Sequence, residues 1–174
     1  VVYINMPNLE CVDNYFLSLN NHIIVLDLPN IVKVGNSFLQ HNQLLEYFYA
    51  PKLQYVGNNF LAENTAINEL DLPEIKKCKY NFLGRNKIIR KVNMPLVEEL
   101  YAGFLYENQM LEELILPNVK YIGIGFLKNN HSIKRIVIPY ELIDSKNNEA
   151  SIDESVCVSI DEYMDNIKKK RLCR

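Results

Sequence analysis

The chain has 174 residues, 48% of them apolar and 23% charged, with a net charge of −2. That length suffices for one domain with a sizeable core, and the charge balance argues against the basic excess that a nucleic-acid binder carries. No apolar run reaches the roughly 18 residues of a membrane-spanning helix, and no secretory leader is visible at the start.

Taken from the N-terminus, Val1, Ile4 and Met6 fall at the phases that Ile23, Leu26 and Leu28 occupy one period later. The chain therefore opens inside a repeating unit and reads as a fragment or processed form of a longer protein. The period is set by the prolines: Pro7, Pro29, Pro51, Pro73, Pro95, Pro117 and Pro139 all share one phase of a 22-residue cycle. A fixed period of this length marks an array of stacked units, each too small to bury its own apolar face.

Within each unit the order of phases is constant. The second residue after proline is Leu9, Ile31, Leu53, Ile75, Val97 or Val119, and the fifth is Val12, Val34, Val56, Cys78, Leu100 or Ile122. A Phe-Leu pair follows, from Phe16-Leu17 to Phe126-Leu127, and then an asparagine: Asn20, Asn42, Asn64, Asn86, Asn108 or Asn130. The unit closes on a segment such as Leu70-Asp71-Leu72 or Ile136-Val137-Ile138, whose period-two alternation predicts a half-buried strand. Proline directly after that strand has no N–H to donate and ends the ladder at the same place each time. Gly35, Gly57 and Gly123 suit a turn that requires positive φ or a close backbone approach. The asparagine column is expected to satisfy backbone groups at a bend, because buried N–H and C=O groups must find partners. Cys78, at an apolar phase, reads as a small core residue. Cys11, Cys157 and Cys173 are not close enough in sequence to suggest a pair.

These phases predict a solenoid in which adjacent strands lie about 4.8 Å apart. The units resemble leucine-rich repeats, in particular the BspA-like class, through the proline after each strand and the central phenylalanine; the resemblance covers residues 1–139. It implies a leucine-rich-repeat solenoid, a right-handed curved coil with a parallel β-sheet on its concave face. It also implies protein binding, as in cell-surface or secreted adhesion modules of microbes. The chain departs from that pattern at Phe48 and Ala50, which replace aliphatic strand residues, and at Lys79 and Tyr101, which replace the turn glycine. These departures are expected to perturb local geometry and keep the architecture.

After Pro139 the repeat stops, and residues 140–174 read as a C-terminal cap. Residues 144–155 are polar and predict a loop, Val156-Cys157-Val158 a last strand, and Ser159-Ile160-Asp161-Glu162 a capping box opening a helix to about Arg171. Ile160, Met164 and Ile167 share one face of that helix, and the basic run Lys168–Arg171 suits its C-terminus.

No catalytic signature is present. His22, His41 and His131 match no metal-ligand spacing, there is no nucleophile elbow or phosphate loop, and no cofactor is implied. The carboxylate pairs Glu98-Glu99 and Glu112-Glu113 recur by repeat phase, as solvated faces do. The outward strand positions carry more information: Tyr3, Asn5, Val25, Asp27, Tyr47, Tyr49, Glu69, Asp71, Lys91, Asn93, Glu113, Ile115, Arg135 and Val137 line the face. Exposed tyrosines are good interface anchors, so Tyr47 and Tyr49 mark the centre of an expected docking strip, acidic around Asp27, Glu69 and Asp71 and mixed to basic at the end of Lys91 and Arg135. The expected function is a non-enzymatic module that binds another protein, at the cell surface or secreted. The alternative is a cytoplasmic scaffold or sensor region of a larger protein. A further expectation is end-to-end self-association through the open edge of the first coil.

Overall fold

The structure is a computed structural model that describes residues 2–139, 142 and 157–172. In chain order its strands are β1 (Val2–Asn5), β2 (Cys11–Val12), β3 (Ile23–Asp27), β4 (Lys33–Val34), β5 (Tyr47–Tyr49) and β6 (Glu69–Asp71). They continue with β7 (Lys77–Cys78), β8 (Lys91–Asn93), β9 (Glu99–Leu100), β10 (Glu113–Ile115), β11 (Tyr121–Ile122) and β12 (Arg135–Val137), and close with helix α1 (Ile160–Leu172).

Every pairing among these strands is parallel and, apart from Val2↔Ile23 at a register shift, offset by one repeat, as in Val25↔Tyr47, Leu70↔Val92 and Leu114↔Ile136. The result is a parallel β-solenoid of about six turns. The pre-proline strands form its broad face. Leu28 N–H donates to the Tyr49 carbonyl at 2.9 Å, and Pro29 then stops the ladder for want of a donor. A second, narrower ladder follows each proline: β2 pairs with β4, and β7, β9 and β11 pair in turn. Isolated bridges from Tyr55 to Lys33 and to Lys77 join those two pieces. The sequence reading anticipated the first ladder only; the two-residue strands of the second are too short to leave a period-two signal.

The interior is one continuous cluster running from Ile23 to Ile138, into which all apolar phases point. Phe38, Phe60, Phe82, Phe104 and Phe126 are fully buried. Their rings stack at centroid separations of 5.0–5.8 Å and interplanar angles up to 17°. The side opposite the strands is thus filled by one aromatic column, as the repeat phases predict. Cys78 is fully buried, and burial pushes its thiol well above the ordinary range, which keeps it protonated and inert.

The asparagine column works as expected. Asn42, Asn64, Asn86, Asn108 and Asn130 each donate a side-chain amide proton, at 2.8–3.0 Å, to a carbonyl of the preceding coil. Those acceptors are Leu17, Leu39, Leu61, Leu83 and Leu105.

Between the phenylalanine and asparagine columns the backbone has an unanticipated form. Positive φ recurs at every second residue: Ser37, Leu39 and His41 in one coil, Asn59, Leu61 and Glu63 in the next. A non-glycine residue in this region costs roughly 1–2 kcal/mol. The cost is offset because these N–H groups bond to neighbouring coils on both sides: Ser37 to Asn58 O at 2.7 Å, His41 to Ala62 O at 3.0 Å and Leu39 to Phe16 O at 3.1 Å. Tyr, Ser, Asn, Asn, Gly and Gly occupy the first of these positions at 15, 37, 59, 81, 103 and 125, and the asparagines and glycines among them tolerate the conformation.

Gly35, Gly57 and Gly123 are present for close approach, since positive φ among glycines falls on Gly103 and Gly125. A Cβ on Gly57 would lie 2.5 Å from the backbone N of Asn36 and the backbone C of Gly35. Gly57→Ala is therefore expected to lower the unfolding free energy by about 1–3 kcal/mol in urea titration. Wild-type stability of that variant would contradict the close contact.

At the C-terminal end Cys157 makes one isolated parallel bridge to Ile136, and Val158 N–H donates to Ile136 O at 2.9 Å. Ser159 Oγ accepts from Glu162 N–H at 3.1 Å and caps α1. The expected inward face is corrected in one respect. Met164 is exposed, and it is Tyr163 that is partly buried, with the Arg135 guanidinium 5.5 Å from its ring centroid. Val156, Cys173 and the expected loop at 144–155 lie outside the described residues, as does the side chain of Ile167.

Candidate functional site

The outward phases of the pre-proline strands do form one face, and its residues couple across coils at repeat spacing. Tyr3 Oη and Asn5 Nδ2 both donate to Asp27 Oδ2, at 3.3 and 3.1 Å. Asn93 Nδ2 donates to Asp71 Oδ1 at 2.9 Å. Glu113 is shared by Lys91 and Arg135, each at 3.5 Å. Tyr47 and Tyr49 lie between these groups and are 65% and 57% exposed. They are the largest exposed side chains at the centre of the face. Glu69 and Asp71 are also exposed beside them, and Lys91, Asn93, Glu113 and Arg135 are half-buried.

Two expected members of the face are not on its surface. Ile115 and Val137 are buried. The accessible strip therefore runs from Tyr3 to Arg135 with a polar, internally paired C-terminal third. The basic character expected near Arg135 is moderated by Glu113, which faces both cations.

The face is interrupted. β1, β3 and β5 make one sheet and β6, β8, β10 and β12 another, with no pairing between β5 and β6. A cavity of about 440 Å³ lies at the break, lined by Phe48, Tyr49, Glu69, Leu70, Asp71 and Lys91 among others. Phe48 was visible in the sequence as a departure from the aliphatic phase, but the opening it accompanies was not.

A second cavity, of about 540 Å³, opens on the post-proline ladder around Tyr55, Gly35 and Gly57, with Lys33, Lys76, Lys77 and Lys79 on its walls. The sequence reading missed it, although the run Lys76-Lys77-Cys78-Lys79 was its signal. Lys77 is held above the ordinary lysine range by its hydrogen bond to Glu99, 2.7 Å away. Lys79 sits over the Tyr101 ring at 4.7 Å, which accounts for two turn glycines being replaced in adjacent coils by a cation and an aromatic ring.

The paired carboxylates have structural partners. Glu112 takes Lys134 and Arg90 at 3.0 and 2.7 Å. The hydrogen bond from Lys134 holds its carboxyl below the usual range. Glu98 is lowered in the same way by Lys120, at 2.7 Å. Solvent screens such exposed pairs, so they add little to the stability of the array. His41 Nε2 lies 3.2 Å from Glu63 Oε2. Among the described residues no three metal-ligating side chains come together, and no helix is long and apolar enough to cross a membrane. Compared with protein-family models, curated proteins and solved structures, the chain matches none of them.

Proposed function

We propose that the chain is a non-enzymatic protein-binding module that docks a partner protein on the face of its pre-proline strands. Within that proposal the array is of leucine-rich-repeat kind, its docking face is the concave one, and it serves a surface or secreted adhesion protein. The observation that carries the reading is the exposure of Tyr47 and Tyr49, two residues apart on one strand, in the middle of a face whose neighbouring polar groups are already paired to each other. Aromatic side chains so placed give large contact area at small entropic cost. A strip of this length offers about 800 Å² per partner, the standard size for a specific complex.

The test needs a binder purified to homogeneity. Candidates captured on the immobilised chain are identified, prepared separately, and titrated calorimetrically against wild type and the Tyr47→Ala/Tyr49→Ala variant. The double variant is expected to bind at least about tenfold more weakly, from roughly 1–2 kcal/mol per anchor, with an unchanged unfolding midpoint. Equal affinity of the two proteins would overturn the assignment of this face.

A further inference from the structure

The break in the sheet has a specific cause and a specific chemistry. One repeat of offset would pair Phe48 with Leu70, as Leu26 pairs with Phe48 and Leu70 with Val92. At that junction two recurring bonds are missing. Leu28, Leu72, Met94 and Leu116 each donate to the strand one coil on, at 2.8–3.4 Å, but Ala50 N–H makes no such bond to Asp71 O. Glu46, Arg90, Glu112 and Lys134 each donate one coil back, at 2.7–2.9 Å, but Asn68 N–H makes none to Glu46 O.

The opening is confined to the strand side. Behind it Asn59 and Glu63 still donate to Tyr80 and Gly84, both at 2.8 Å, and the Phe60 and Phe82 rings stack at 5.0 Å. Phe48 is the wedge. Its ring stands tilted against Phe38 and Phe60, at 5.7 and 6.0 Å, where other coils carry the smaller Leu26, Leu70 or Val92.

In the β6–β8 pairing the bonds run through Leu70 and Leu72. In a parallel ladder this turns the N–H and C=O groups of Glu69 and Asp71 towards the gap. Unpaired backbone groups in a cleft call for a partner. Besides backbone N–H groups, the cleft supplies carbonyl oxygens, the Tyr49 ring and two carboxylates, of which Asp71 keeps Oδ2 for a ligand while its Oδ1 accepts from Asn93 Nδ2 at 2.9 Å; Lys91 is drawn to Glu113. A planar group with several donors, one positive charge and an affinity for aromatic faces fits this set; a compact ammonium with three donors fits it less well.

We propose that the break between β5 and β6 is an arginine-binding cleft, which receives the guanidinium of an exposed segment of the protein partner. This rests on the docking face proposed above and names the feature it recognises. Phe48 acts as the positioning residue that holds the cleft open, and Glu69 and Asp71 supply the charge.

The test is amide-detected NMR on the ¹⁵N-labelled chain, titrated with the capped tripeptides acetyl-Gly-Arg-Gly-amide and acetyl-Gly-Lys-Gly-amide. The arginine peptide is expected to give saturable shifts at Phe48, Ala50, Glu69 and Asp71, at least several-fold tighter than the lysine peptide. Phe48→Leu restores the aliphatic phase; it is expected to close the sheet, slow hydrogen exchange at Ala50 and abolish those shifts. Glu69→Gln/Asp71→Asn, which leaves the core untouched, is expected to weaken binding on the order of fivefold. Absence of saturable shifts, equal response to both peptides, or undiminished binding by either variant would overturn the cleft. A partner lost by Tyr47→Ala/Tyr49→Ala but kept by Phe48→Leu would sink the cleft and leave the docking face standing. A partner kept by the tyrosine variant would sink the face, whatever the peptides show.

Discussion

Phe82→Ala is expected to lower the unfolding free energy by about 3–5 kcal/mol, the range for removing a fully buried phenylalanine. Phe82 has no exposed surface and stacks on Phe60 at 5.0 Å and on Phe104 at 5.6 Å, so its removal leaves a cavity and breaks the column at mid-array. In a stacked array each coil is stabilised by its neighbours. The loss is therefore expected to uncouple the two halves, broadening the urea transition and lowering its slope as well as its midpoint. Phe16→Ala, in the partly buried first coil, is the control and is expected to cost less. Circular dichroism in urea measures both. A loss below about 1 kcal/mol at Phe82 would show that the column does not carry the core.

The second large effect is expected at Asn64. Its Nδ2 donates to Leu39 O at 3.0 Å and to Ala62 O at 3.3 Å, and its Oδ1 accepts from Asn42 N–H at 3.1 Å. Asn64→Ala leaves two buried backbone groups of the preceding coil, Leu39 O and Asn42 N–H, without partners, whereas Ala62 O keeps its bond from His41 N–H. Each loss costs about 1–3 kcal/mol, so a total near 3 kcal/mol is expected. Faster hydrogen exchange at the Asn42 amide is the local signature. Asn64, like Asn86, is an informative member of the column because its oxygen is in use, whereas Oδ1 of Asn42, Asn108 and Asn130 is buried without a hydrogen-bond partner. Unchanged exchange at Asn42 would contradict the side-chain ladder.

The period, the apolar phases and the phenylalanine and asparagine columns were legible because each is stated by unit after unit, so that coincidence at one position is corrected by the others. The alternating backbone was not legible. Leu39 and Leu61 adopt positive φ while fully buried, and leucine carries no compositional mark of that conformation. Only the asparagine and glycine residues at positions 59, 81, 103 and 125 hint at it.

The candidate site was legible in outline. Alternation along a strand identifies which side chains leave the core, and Tyr47 and Tyr49 do so. Alternation could not show that Ile115 and Val137 are buried, since that depends on tertiary packing and not on strand phase. Nor could it show the break between β5 and β6, which Phe48 lines. The Phe48 ring meets Phe38 and Phe60 at once, a contact across two successive coils that strand alternation does not encode. In α1, Ile160 and Met164 share a helical face by spacing, yet Tyr163 takes the partly buried place because Arg135 lies where its ring can stack.

A nuclear Overhauser spectrum of the side-chain aromatic protons tests the stacked interior most directly. The account predicts cross-peaks between Phe38 and Phe60, Phe60 and Phe82, Phe82 and Phe104, and Phe104 and Phe126, with none that skips a ring. Missing contacts between successive rings, or a cross-peak joining Phe38 to Phe104, would contradict it.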